Sequence, residues 1–292
     1  MMRRPFRSLF FVLLRSSFFV LCSFFVAAPA VAQQRPLKTE DPETIGSGRV
    51  LIEAGLDYDR DTYLPVSGLR GNLMTVPAFG ISLGVSSIAE IQIDWGAYQK
   101  LAITEQVPGA PLSHLLQLDG SSTDDFGDIH IGAKMRLLSE TAGRPAIGSW
   151  FRTRLPNAGN ESGLGKDLQD FSSALTIGKT IQSVRVVANV GVTMIGKPTE
   201  AAAQDDLLIY SLSVARALSD RTEVVGEFVG RANFANIVTP GAEDRGLLRF
   251  GARYTMSGVR FDTGLLVGLT PRDPQIGMTV GLTWVFDAIK IP

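Results

Sequence analysis

The chain offers little from which to build a catalytic centre. His114 and His130 are its only histidines and Cys22 its only cysteine. Asp124, Asp125 and Asp128 lie close together, but without the loop spacing that wraps several oxygens around one Ca²⁺. Gly163-Leu-Gly165-Lys166 lacks both the glycine spacing and the following Ser or Thr of a phosphate-binding loop, and reads as a flexible loop. What the sequence has in quantity is charge at two-residue spacing. Glu53, Asp57, Glu90, Gln92, Asp94, Asp128, His130, Lys134, Arg136, Arg152, Arg154, Asp170, Arg185, Asn189, Glu223, Glu227, Arg231, Arg249, Arg253, Arg260 and Asp262 all fall on one parity of alternating runs. On a strand, residues of one parity share one face. Such a set offers an ionic lining, which can select solutes or form cross-strand ion pairs that fix register. Tyr98 and Trp150 add ring surface on the same parity, as candidate stacking sites.

The elements that must position these residues are strands. Val50, Ile52, Ala54, Leu56 and Tyr58 alternate with Leu51, Glu53, Gly55 and Asp57, and Ile129 to Leu137 and Ile276 to Phe286 alternate in the same way. Similar runs cover about 72–84, 89–98, 145–156, 169–181, 184–195, 206–217, 222–231, 245–255 and 259–269, which makes twelve strands. No stretch after residue 32 sustains a helical apolar period. Longer connections near 60–71, 99–126, 157–168, 197–205 and 232–244 alternate with short turns, with the short connection 270–274 as the exception. Antiparallel partners have a constant index sum. A sum of 476 pairs Glu223 with Arg253 and Glu227 with Arg249, and a sum of 282 pairs Asp128 with Arg154 and His130 with Arg152.

Alternation alone also fits a soluble sandwich. Twelve apolar faces turned inward in one barrel would, however, enclose more space than side chains fill, since about eight strands already reach that limit. Lipid outside and polar groups inside solve that problem and explain the two unlike sets of connections. Strands in lipid must close on themselves to satisfy their backbones. The expectation is therefore an all-β transmembrane antiparallel up-and-down barrel of about twelve strands, with both termini on the short-turn, periplasmic side. Tyr58, Phe171 and Tyr210 fall near the long-loop ends of the apolar parity, and Tyr254, Trp284 and Phe286 near the short-turn ends, as two aromatic girdles require. Lys179 and Arg216 interrupt that parity near the rim, where long side chains can snorkel.

The start of the chain carries Arg3, Arg4, Arg7 and Arg15, an apolar run from Phe18 to Ala27, and Ala30-Val31-Ala32, the order of a secretory leader cut after Ala32. Residues 1–32 hold four Arg and no acid, so their removal moves the formal charge from -1 to -5. It also removes the only cysteine and with it any disulfide, thiolate ligand or thiol nucleophile. A mildly acidic remainder has no basic footprint for nucleic acid. The expected division is leader 1–32, a periplasmic segment 33–47, a barrel 48–286 and a tail 287–292, with Sec-type export to the outer membrane of a Gram-negative bacterium.

Arg35-Pro-Leu-Lys-Thr-Glu-Asp-Pro-Glu-Thr-Ile-Gly-Ser-Gly-Arg49, Gly127-Asp-Ile-His-Ile-Gly-Ala-Lys134, the Leu155-Pro156 strand end with its Gly-rich loop, and the final strand together resemble the outer-membrane transporters named for the MetA pathway of phenol degradation. The likeness runs across nearly all of the chain after residue 32. It departs at Asn157-Ala158-Gly159, where a Thr-Gly type turn is expected, and after Phe286, where such barrels commonly end on the aromatic read by the insertion machinery. What the resemblance implies is a channel for small hydrophobic or aromatic molecules, with outer-membrane lipid, the solute and the insertion machinery as partners. No cofactor, metal or enzymatic activity is expected. His114 lies in a long loop and His130 faces away from the lipid side, where a lipid hydrolase needs its base. The alternative is a structural or surface-interaction barrel with an occluded lumen.

Overall fold

The computed structural model describes residues 35–196 and 205–288, so the expected leader lies outside the described residues. The strand segments are β1 (Arg49–Leu64), β2 (Leu69–Gly84), β3 (Ala89–Gly96), β4 (Gln99–Gln106), β5 (Ser122–Asp125), β6 (Ile129–Leu138), β7 (Ala146–Leu155), β8 (Asp170–Ile181), β9 (Val184–Ile195), β10 (Asp205–Ala217), β11 (Thr222–Asn233), β12 (Arg245–Met256), β13 (Val259–Gly268) and β14 (Ile276–Asp287). Each pairs antiparallel with its neighbours, and β1 closes the sheet by pairing with both β2 and β14. One half of β2 pairs with β3 and the other with β4, so β3 and β4 are consecutive halves of one wall strand. In the same way β5 leads into β6, which gives a closed barrel of twelve wall strands.

The orientation of the faces follows the alternation. Ile131, Val280 and Leu282 are 41%, 43% and 38% exposed on the outside, while Glu90 and Lys134 are each 1% exposed on the inside. Tyr58, Phe171, Tyr254 and Trp284 are exposed at the two ends of the apolar belt, and Trp284 packs on Phe286. The Lys179 ammonium folds back to donate to the carbonyls of Thr141 and Ala142 in the β6–β7 turn, which is how a lysine on the apolar face reaches a polar rim. Ser257 and Gly258, both at positive φ, form the two-residue turn between β12 and β13, the geometry whose twist matches that of the strands it joins.

Three expectations are corrected. The stretches 60–71 and 99–126 are not simply loops. β1 runs to Leu64, β2 starts at Leu69, and β4 and β5 form a hairpin that prolongs the wall. With water on both faces no alternation is needed there, and ion pairs such as Arg70 with Asp61 (3.0 Å) and Glu105 (3.6 Å) take its place. The β11–β12 register is the expected one, pairing Glu223 with Arg253 and Glu227 with Arg249. Between β6 and β7, however, His130 pairs with Arg154, two residues from the expected partner. A slip of two keeps every side chain on its face, so parity does not distinguish the two registers.

The third concerns the segment expected to lie in the periplasm ahead of the barrel. From Arg35 onward it runs inside the lumen. Leu37 packs with Ala215 and Val225, and Ile45 with Leu51 and Val285. Glycines on the inner wall make room for it. A Cβ at Gly264 would lie 3.1 Å from Pro36, and one at Gly178 or Gly148 would lie 3.0 or 3.1 Å from Pro42.

Candidate functional site

Most of the inward-facing charges expected to line a pore instead grip this segment. Glu227, on β11, accepts hydrogen bonds from the Lys38 amide (2.8 Å), the Thr39 amide (2.9 Å) and the Thr39 hydroxyl (2.7 Å). Asn189, on β9, reads the Glu40 backbone from both sides, accepting from its amide (3.1 Å) and donating to its carbonyl (2.8 Å). The Glu40 carboxylate takes a hydrogen bond from Arg152 (2.8 Å) and lies 3.5 Å from Lys134, which also contacts Glu90 at 3.1 Å. Arg185 forms a two-toothed pair with Asp41 (2.8 and 2.7 Å), Arg136 pairs with Glu43 (2.5 Å), and Glu90 accepts from the Ile45 amide (2.7 Å). At the other end, Glu53 accepts from the Arg35 amide (3.3 Å), Arg253 donates to the Arg35 carbonyl (2.9 Å) and Arg249 to the Pro36 carbonyl (3.4 Å). The Arg35 guanidinium donates to Thr279 (2.6 Å) and lies 3.5 Å from both Asp57 and Asp262. Buried charges persist in such a place only when paired and hydrogen-bonded.

Beyond the segment the lumen holds a cavity of about 530 Å³. Its floor is Arg35 with Glu53, Asp57 and Asp94, and its wall includes Asp128, His130, Arg154, Phe79, Trp95 and Gln99. Its roof comes from three connections, represented by Leu64 to Ser67, Gly163 to Lys166, and Gly241. Residues of the β4–β5 hairpin tie the first two together. Leu112 donates its amide to Val66, Gln117 to Glu161, and the Thr123 hydroxyl to Ser162, at 2.9 Å each. The lumen is thus occupied on one side and roofed on the other.

Of the candidate residues, Glu53, Asp57, Asp94, Asp128, His130 and Arg154 line this cavity. Glu90, Lys134, Arg136, Arg152, Arg185, Glu227, Arg249 and Arg253 hold the segment, and Glu223 supports Arg253 at 2.7 Å. Trp150 is not a free stacking surface. Its indole N–H donates to Asn189 (3.1 Å) and Arg152 lies over its ring. Tyr98 is outside the cavity altogether. The alternation breaks between Gly96 and Gln99, so Gln99 rather than Tyr98 continues the inner face. Sequence reasoning missed Arg35, Glu40, Asp41 and Glu43 as lumen residues, and Lys166 and Arg245 as cavity residues. The acid-rich run 40–43 facing cations on three different strands was the available signal for the former. For Arg245 the signal was its shared parity with Arg249 and Arg253 in the run 245–255, and for Lys166, in the loop 157–168, there was none.

No family model and no curated protein matches this chain. Among solved structures it is similar to the COG4313 outer membrane channel from Pseudomonas putida F1, with a TM-score of 0.60 and 11% identity over 84% of this chain and 98% of that one. The Pseudomonas putida toluene transporter TodX matches at a TM-score of 0.40 and 10% identity, over 82% of this chain and 89% of that one. At these identities the likeness to the first is one of fold, and it places the chain among barrels of the Gram-negative outer-membrane type.

Proposed function

We propose that the protein is an outer-membrane conduit for small hydrophobic or aromatic molecules, exported by way of its leader, with residues 33–47 as the gate of its lumen. The observation that carries this reading is the occupied lumen. A barrel that served only as a rigid wall would fill its interior with wall side chains, whereas here a separate segment fills it and leaves a partly open chamber of small-molecule size beside it. Pockets for such ligands measure about 300–1,000 Å³. The resemblance to the MetA-pathway transporters supports the class of solute. Single-channel recordings on the full chain and on a chain lacking residues 33–47 test the gate. Rare or small steps are expected for the first and frequent, larger ones for the second, and silence from both would remove the conduit. Growth on aromatic carbon sources with and without the protein tests the solute. The interlocked roof favours a second reading, a closed surface-interaction barrel, which predicts no conductance in either form and no growth difference.

A further inference from the structure

The charges of the cavity are sorted along its length. Glu53, Asp57 and Asp94, with Arg35 as their one cation, lie at the end next to the inserted segment, whereas Arg154, Lys166, Arg231 and Arg245 outnumber Asp128 and Asp170 at the roofed end. The cations at the roof are not fully matched. Arg154 is taken up by Asp128 (2.9 Å) and Asp170 (2.6 Å). Arg231 donates to the carbonyls of Glu243 and Gly241, both at 2.9 Å, with the Glu243 carboxylate 3.9 Å away. Among the described residues Lys166 has only Asp170, at 3.7 Å, which it shares with Arg154. Arg245 reaches the Tyr63 carbonyl at 3.4 Å and forms no ion pair among the described residues, with Asp273 and Glu243 as the nearest acids to it. The side chains converge, since Arg231 bonds the Gly241 carbonyl and a Cβ on Gly241 would lie 3.7 Å from the Lys166 ammonium.

We propose that the roofed end of the cavity is a carboxylate site, built by Lys166 and Arg245, for an aryl-substituted alkanoic acid whose apolar part packs on Val66 and Leu164. This rests on the conduit reading and adds the head group. An ionised carboxylate would offer Lys166 and Arg245 a closer acceptor than the contacts of 3.7 and 3.4 Å they make here, and charge-assisted hydrogen bonds are the strong ones. The excess of acids over Arg35 at the other end sets the orientation, because it disfavours the carboxylate there and leaves the head toward the loops. A chamber of about 530 Å³ is too small for a lipid with two acyl chains. Burial and the nearby Arg154 push the Lys166 ammonium down to about 8, Asp170 pulls it up, and Arg231 and Arg245 add to the repulsion. Its positive charge is therefore present at neutral pH and lost as the pH rises past that value.

The test is calorimetric binding of 4-phenylbutyrate and of its uncharged amide to the full-length protein in lipid nanodiscs. The acid should bind at least about tenfold tighter than the amide, a difference of about 1.4 kcal/mol. Lys166→Met and Arg245→Gln should each remove most of that preference by weakening the acid far more than the amide. Moving from about pH 7 to about pH 9 should weaken the acid alone. Equal binding of acid and amide would overturn the carboxylate site and leave the conduit standing. Binding of neither would overturn both. Lys166 lies in a loop between β7 and β8, so its variant tests the site even if Arg245→Gln fails to fold.

Discussion

Lys134 carries the heaviest ionic load in the lumen, because its ammonium stands between Glu40 of the inserted segment and Glu90 of the neighbouring wall strand while almost wholly shut off from solvent. Lys134→Met would leave two buried carboxylates facing each other. Removing one partner from a buried pair typically costs about 3–5 kcal/mol, and a loss of that size is expected in denaturant unfolding of the barrel in detergent. Glu40→Gln should cost much less, since Lys134 keeps Glu90 and the amide can still accept from Arg152. Equal, small effects of the two changes would show that water screens the cluster. Which of these residues the sequence made legible follows from their surroundings. Glu90 and Lys134 were readable as inward-facing because strand parity places them, but their third partner was not, because Glu40 belongs to no strand and its address is written only in the charges of the wall.

At the scale of elements, the inserted segment and the glycines opposite it form one fitted unit. Gly264 is the most direct test. A side chain there would meet Pro36 at 3.1 Å, whereas a Cβ at Gly143, in an outer turn, would meet nothing within 4 Å. Gly264→Val should raise the frequency of open events in planar bilayers while the barrel keeps its heat-modifiable migration on gels, and Gly143→Val should change neither. Unaltered conductance in Gly264→Val would mean that the segment does not limit the lumen. The twelve wall strands were legible because lipid on one face and charge on the other impose a period of two. The β11–β12 register was legible because two complementary pairs four residues apart fit one index sum. The β6–β7 register, the β4–β5 hairpin and the path of residues 35–47 were not. In the first, a two-residue slip costs parity nothing. In the second, water wets both faces. In the third, the inner-wall glycines look like ordinary small residues until something is known to lie against them.

For the whole molecule, the apolar outer belt sets the solvent in which the barrel is stable. Val280, half-way along β14 and 43% exposed, faces that belt. Val280→Arg should lower folding stability in bilayers by about 2–4 kcal/mol, the cost of a cation near the midplane. A change within error would place this face in water. The ionic bookkeeping of the lumen carries a last consequence. Glu40, Asp41 and Glu43 neutralise Arg152, Lys134, Arg185 and Arg136, which are rooted in the wall. When the segment withdraws, those three acids leave together with Arg35 and Lys38, a net loss of one negative charge, and the wall cations stay. Unblocking and a turn toward passing negative ions would then be a single event. In a salt gradient, the reversal potential of the chain lacking residues 33–47 should shift toward that of chloride, and a shift toward that of potassium would contradict it.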